Sequence, residues 1–198
     1  MELKRVVDCK EDDERIKKLY EEAFPPDERI PYWILKRRVS QGMTEMWNIF
    51  NEDTWIGWTY IIKYINNENK KFAYVLFFAI DANYRNKGYG SQALKLVFEN
   101  YKDYSITLAI EIYEDEKAEN QEQRIRRHSF YKRCGMDDLP YQTSSYKNTF
   151  DLMYYGRPPE REEFKDMISY FIGWPFKYFY KTTLSDKPDY KQNNENEK

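Results

Sequence analysis

The chain has 198 residues, enough for one domain or one domain with an appendage, and enough to bury most of the surface its unfolded form exposes. Its 32 basic and 34 acidic residues leave a net charge of −2, so no global field draws in a polyanion, and nucleic-acid binding would need a local basic patch. Cys9 and Cys134 lie far apart without metal-ligand spacing and read as reduced thiols, so no metal site is expected. The opening MELKRVVDCKEDDERIKK is charged and lacks the apolar core of a signal peptide, and the longest apolar runs are too short to span a bilayer. The expectation is a cytoplasmic protein with neither nucleic acid nor membrane as partner.

LKRVV is a short first strand. Ile16, Leu19, Tyr20, Ala23 and Phe24 then recur at helical spacing until FPP stops the helix. A second helix starts near Pro31, carries Trp33, Ile34, Leu35 and Val39, and ends at SQG. EMWNIF, TWIGWTYIIKYI and KFAYVLFFAI form an antiparallel meander turned by NED and NNENKK. Ala93, Leu94, Val97, Phe98 and Tyr101 mark an amphipathic helix, and SITLAIEIY is a strand. ENQEQRIRRHSFYKRC is a basic helix with Gly135 placed for a left-handed C-cap, followed by weaker strands in DDLPYQTSS and NTFDLMYY. EREEFKDMISYFIGW is a last helix, and the tail from Ser185 is too polar to fold alone. The order predicts a mixed α/β (α+β) domain over residues 1–155, a C-terminal helical extension over 156–184 packed on it, and a disordered tail over 185–198.

The stretch DANYRNKGYGSQAL joins the meander to the amphipathic helix, with Arg85 and Lys87 ahead of Gly88 and Gly90. Glycines let successive backbone N–H groups converge on one anion, and the helix behind them adds its positive end. A phosphate is the ligand such a turn suits. GYGSQA also satisfies the dinucleotide pattern G-x-G-x-x-[GA], with Glu111 about twenty residues on. Against a dinucleotide stand the residues separating strand end from glycines, the crowding of basic side chains, and the helix pair and meander that precede the strand. No Gly-Lys-[Ser/Thr] follows, which removes a Walker loop.

The longer match, VLFFAIDANYRNKGYGSQAL, resembles the acetyl-CoA-binding segment of the GNAT (Gcn5-related) N-acetyltransferases, in which [QR]-x-x-G-x-[GA] joins a strand to a helix. RRHSFYKRCGM is similar to the family's late helix, with Phe130, Tyr131, Gly135 and Met136 in the motif positions, Met136 replacing the usual Phe. Arg124 stands where many members have Asn, seven residues before the tyrosine, so no cofactor contact of that Asn carries over. The resemblance covers roughly residues 1 to 155. It implies a mostly antiparallel sheet flanked by helices, acetyl-CoA as acyl donor, and an amine acceptor, small-molecule or peptide. Its implied CoA contacts are Phe78, Ala79 and Ile80 on the strand and Arg85, Asn86, Lys87, Gly88, Tyr89, Gly90 and Ser91 in the turn.

Acetyl transfer needs a base for the amine and an acid for the leaving thiolate. Glu111 is the candidate base: alternation in TLAIEIYE puts it with Thr107, Ala109 and Tyr113, and an acid in an apolar strand is costly unless paired or functional. The competing reading is a glutamate that meets Arg or Lys from a neighbouring element. Tyr131 occupies the place of the family's general acid, with a packing tyrosine as the alternative, and Tyr113 is a second candidate. An oxyanion would be held by a backbone N–H around Ala79 or Ile80. His128 is expected on a solvated basic face, Cys134 as a packed apolar side chain, and FIGWPFKYFY as a cap on the acceptor groove. The functional expectation is an N-acetyltransferase working by direct attack in a ternary complex, monomer or homodimer. A non-catalytic acyl-CoA-binding module of the same fold is the alternative, and a dinucleotide oxidoreductase comes third.

Overall fold

The structure, a computed structural model, describes residues 1–6, 9–115, 118–145, 148–173 and 182–188. It is a mixed α/β fold of five helices and eight strands among these residues, with antiparallel pairing throughout the strand pairs whose register is given below. The chain divides into two compact units: Met1–Lys63 with Ala73–Lys102, and Tyr64–Phe72 with Asp103–Lys198. The division falls within the β3–β4 hairpin and before residue 103.

The first unit holds β1 (Glu2–Arg5), α1 (Lys10–Ala23), α2 (Tyr32–Ser40), β2 (Thr44–Asn51), most of β3 (Thr54–Ile65) and of β4 (Lys71–Ile80), and α3 (Tyr89–Asn100). Its strands lie in the order β1-β2-β3-β4. Alternation on β2 divides the side chains between two helical layers. Asn48 points to α1, donating to Asp12 at 2.9 Å, while Trp47 points the other way and donates to the Tyr101 hydroxyl just past α3 at 2.9 Å. The α1 side is aromatic: Tyr20 meets Trp58 and Phe77 edge-on, and the Tyr60 hydroxyl donates to the Leu35 carbonyl of α2 at 3.0 Å. Ile16 and Leu19 are buried there as well, each such side chain contributing about 1.5–3 kcal/mol. On the α3 side, Ile49, Ile56, Ile80 and Ala93 form a cluster with Leu3 and Phe78 against it.

A change of register between Ile49 and Phe50 makes this division possible. Ile49 pairs with Gly57 and Phe50 with Trp55, so Ile56 is an extra residue on β3. It joins the α3 cluster although Trp58, two residues on, faces α1. The bulge brings Gly57 against the end of β4: a Cβ there would fall inside 3.0 Å of the Ala79 carbonyl oxygen and 3.1 Å from Ile80 Cα.

The second unit holds the tip of the β3–β4 hairpin, β5 (Ser105–Glu111), α4 (Gln121–Arg133), β6 (Asp137–Ser145), β7 (Asn148–Tyr155), α5 (Arg161–Ile172) and β8 (Thr183–Asp186). Its strand order is β5-β7-β6-β8, antiparallel at each step. β6 departs from regular register between Asp138 and Gln142, where Pro140 sits among bulged residues that need not donate to a ladder. α4 ends as its sequence predicts. Gly135 has φ +91°, its N–H donates to the Lys132 carbonyl, and the Met136 N–H reaches the Tyr131 carbonyl at 3.1 Å, a Schellman motif.

α5 opens with a capping box between Glu160 and Glu163. Glu163 also receives Lys70 of the hairpin tip at 3.2 Å and Arg157 at 2.9 Å, while Tyr170 lies 5.3 Å from Tyr64. Burial alone would raise the Glu163 carboxyl, but these cations and the Glu160 N–H outweigh it and hold it below the ordinary glutamate value. Past α5, residues 185–188 of the expected tail are described. Ser185 and Asp186, assigned to a disordered tail, belong to β8 and pair with Gln142 and Tyr141, because an open edge of β6 supplies the backbone partners their polar sequence lacks. Residues 189–198 lie outside the described residues, as do residues 174–181, which include most of the expected groove cap FIGWPFKYFY.

Gly57→Ala should destabilise the protein by about 2–3 kcal/mol in denaturant unfolding, since the new methyl must displace strand backbone rather than a side chain. A loss below about 0.5 kcal/mol would show that the β4 end tolerates a shift.

Candidate active site

The glycine turn and the strand end before it belong to the first unit. β4 ends irregularly: the Phe77 carbonyl accepts from Thr59 Oγ1 at 2.9 Å, and the Ile80 carbonyl accepts from Arg85 Nε at 2.9 Å. Of the residues expected to line a pantetheine arm, Ala79 and Ile80 are buried and Phe78 half-buried. A 3-10 turn, Ala82–Tyr84, follows, capped by Asp81, whose carboxylate accepts from the Asn83 N–H at 2.9 Å. Asn86 and Gly88 both have positive φ, 61° and 78°, and Gly88 is the N-cap of α3. Asn tolerates that conformation and Gly adopts it without strain.

Tyr89, Gly90 and Ser91 are therefore the first three residues of α3, whose N–H groups have no intrahelical acceptor. Space above the turn is open, for a Cβ on Gly88 would meet only Gln92 Nε2, at 3.9 Å. Lys87 folds back to the Asn83 carbonyl at 3.0 Å and lies over the Tyr84 ring. Arg85 and Lys87 shape the turn as well as charging it. The arrangement can receive an anion of pyrophosphate size on backbone donors, a helix N-terminus and two adjacent cations.

Glu111 and Tyr131 belong to the second unit and are organised by α4. Glu111 is the last residue of β5, and its carboxylate is taken by α4. Arg127 donates to Oε2 at 2.6 Å, while Arg124 Nε at 3.2 Å and Asn120 Nδ2 at 3.1 Å meet Oε1. Arg124 Nε donates to Asn120 Oδ1 at 2.7 Å, and its Nη1 donates to the Ile112 carbonyl at 3.2 Å and lies 3.6 Å from Asp115. One turn further along, Tyr131 is buried. Burial pushes its hydroxyl up to about 12, with the Arg127 charge pulling the other way. The hydroxyl therefore keeps its proton across the physiological range.

Two sequence expectations are corrected here. His128 is not on a solvated face: its ring stacks on Tyr113 at 3.8 Å, and Nε2 sits 3.0 Å from Asp138 Oδ1. The Asp138 carboxylate, two residues past the cap of α4, supplies the partner that a count of neighbouring arginines conceals. Tyr113 does not share a strand face with Glu111, because β5 stops at Glu111 and Tyr113 lies in the turn after it. The sequence reading missed Gly57, Thr59 and the acids Asp138 and Asp151. Asp151, within NTFDLMYY, carried the same signal as Glu111: an acid inside an apolar strand.

No curated protein matches the chain. Among solved structures, a GNAT-family protein from Bacteroides thetaiotaomicron is 24% identical, with a TM-score of 0.70 over 87% of this chain and 96% of that one. Arabidopsis thaliana NAA60 in complex with a bisubstrate analogue is 13% identical, with a TM-score of 0.59 over 78% of this chain and 97% of that one. A spermidine N-acetyltransferase chimera from Vibrio cholerae SpeG and hSSAT is 16% identical, with a TM-score of 0.56 over 78% and 95%. At such identities these likenesses show the fold. The model of the acetyltransferase (GNAT) family matches residues 13–136, from α1 through the α4 cap, and the chain belongs to that family.

Proposed function

We propose that the protein transfers an acetyl group from acetyl-CoA to a primary amine by direct attack in a ternary complex. The observation that carries the reading is the turn from Arg85 to Ser91, where a left-handed Gly88 caps α3, the first N–H groups of the helix have no intrahelical acceptor, and a Cβ on Gly88 would meet only Gln92 Nε2. Those donors, with Arg85 and Lys87, would hold the pyrophosphate of CoA, and the backbone of Phe78, Ala79 and Ile80 would run beside its pantetheine arm. Support from outside the chain is the family match and the NAA60 structure in complex with acetyl-CoA. The acceptor is a small-molecule or peptide amine, and the chemistry calls for no metal.

An alkylamine with a pKa of roughly 10.4 is almost wholly protonated at pH 7, a handicap of about 4–5 kcal/mol that a base removes. Glu111 takes that role in this reading, and Tyr131 returns a proton to the CoA thiolate. A phenol near 12 is a weak donor to a thiolate of ordinary pKa, roughly 8.5, but desolvation that raises the phenol raises a thiolate beside it too. A backbone N–H near Ala79 or Ile80 is the proposed oxyanion donor. The guanidinium groups of Arg124 and Arg127 favour a second reading of Glu111, as the brace that fixes α4 against β5, because they meet both of its carboxylate oxygens. With no base the chain would be an acyl-CoA-binding module.

Thiol release from acetyl-CoA, followed over a panel of amines, tests the activity, and release that stays amine-independent across the panel contradicts it. Gly90→Glu is the cleaner probe of the turn, since residue 90 is already helical whereas residue 88 needs positive φ. It should cost at least 100-fold in CoA affinity by calorimetry with melting unchanged, and a folded variant with full affinity removes the pyrophosphate assignment.

Glu111→Gln should lower kcat by about 100-fold or more near pH 7 with acetyl-CoA still bound, and the loss should shrink as pH rises and free amine accumulates. A pH-independent loss with a lowered melting temperature assigns Glu111 to bracing alone. Tyr131→Phe should reduce kcat, less so for donors with more acidic thiols. Because the Tyr131 proton is held to about 12, the wild-type rate should show no alkaline limb between pH 8 and 10 that this variant abolishes. Such a limb would contradict the environment described for Tyr131.

A further inference from the structure

The second unit buries an acid in mid-strand that the acetyl-transfer reading does not use. Asp151 of β7 has no exposed surface. Its Oδ1 accepts from Gln142 Nε2 at 3.0 Å and lies 3.4 Å from Lys187 Nζ, whereas its Oδ2 is buried with no partner. Lys187, the residue after β8, has a side chain only 8% exposed, and its Nζ also lies 3.4 Å from Asp138 Oδ1 and 5.0 Å from the Tyr113 ring centroid. Asp138 is shared further, with His128 at 3.0 Å and Lys132 at 3.7 Å. Burial would raise its carboxyl, yet the His128 bond and the Lys187, His128 and Lys132 charges together hold it below the ordinary value. The residue after β8 thus sets a lysine ammonium beside a fully buried carboxyl group.

Two carboxylates and a π face around one Nζ are the recognition chemistry of a primary ammonium, which offers three donors and a compact charge. Lys187 fills the place loosely. Charge-assisted N–H···O bonds run at about 2.7–2.9 Å, shorter than either of its carboxylate distances, and one buried oxygen goes unused. We propose that Asp138, Asp151 and Tyr113 form a primary-ammonium subsite, filled here by the chain's own Lys187, whose external ligand is an alkyldiamine. The diamine follows from the charge: acids on both sides keep the bound nitrogen protonated, and a protonated nitrogen cannot attack an acyl group. A molecule anchored here and acetylated must carry a second amine. The subsite lies on α4 through His128, three residues and so about one helical turn before Tyr131. That the anchored diamine is the acceptor rests on the acetyl-transfer reading, while ammonium binding itself does not.

The test uses the full chain without acetyl-CoA. Lys187→Ala removes the side chain that n-butylammonium can replace. By calorimetry the variant should bind n-butylammonium at least tenfold more tightly than wild type, and adding Asp151→Asn should abolish the gain. Equal binding by wild type and variant, or a gain that survives Asp151→Asn, overturns the subsite. Should Lys187→Ala not melt cooperatively, n-butylammonium chloride should restore a cooperative transition that potassium chloride at equal ionic strength does not, and failure to restore it also overturns the proposal. Turnover separates the two readings. Amine acetylation by wild type with no preference for 1,5-diaminopentane over n-butylamine removes the acceptor assignment alone, and ammonium binding without any acetyl transfer removes the enzymatic reading alone.

Discussion

The close approach of β3 to the end of β4 at Gly57 is the constraint from which the first unit follows. With no Cβ at residue 57, backbone meets backbone, and the extra residue Ile56 turns to the α3 layer while Trp58 stays in the α1 layer. The same bulge lets the Asp81 N–H reach the Ile56 carbonyl at 2.9 Å, which ends β4 and starts the 3-10 turn. Arg85 then ties the turn to the Ile80 carbonyl, and Gly88 opens α3. A small residue in one strand thereby fixes where the first N–H groups of α3 stand, more than thirty residues later in the chain. Close backbone packing is what makes such long-range placement rigid, because it leaves no side chain whose rotamers could absorb a shift.

In the second unit the organising element is α4, and the currency is charge. One side of the helix holds Glu111 with Arg124 and Arg127, and His128 holds Asp138, which also receives Lys187. Tyr131 follows on the same helix, buried, with a raised pKa and with its carbonyl closing the Schellman motif. Breaking a partly buried ion pair by removing one member costs far more than the pair contributes, so these residues act as a set. β8 joins that set through Lys187, which gives an otherwise polar segment a fixed end.

Much of the fold could be read from the sequence because it rests on local signals. FPP and Gly135 end helices at the places their backbone chemistry dictates, and apolar alternation marks the meander. The glycine turn was legible for the same reason: a left-handed residue before a helix requires glycine. What could not be read was pairing across distance. Nothing local to Gly57 says that Ala79 will lie against it, and nothing near Lys187 names Asp138 and Asp151 as its partners. Glu111 stood out as an acid in an apolar strand, but its arginine partners depend on how α4 lies on β5. His128 was misread for the same reason, since its partner comes from β6.

The central claim is that the first N–H groups of α3 receive the pyrophosphate of CoA. Backbone amide NMR on the full chain, titrated with CoA and separately with NAD, addresses it residue by residue. The account predicts that CoA produces its largest shifts at the amides of Gly88, Tyr89, Gly90 and Ser91, that 3′-dephospho-CoA keeps those shifts, and that NAD leaves them unmoved. CoA binding that leaves those four amides in place, or NAD moving them as strongly, would contradict it.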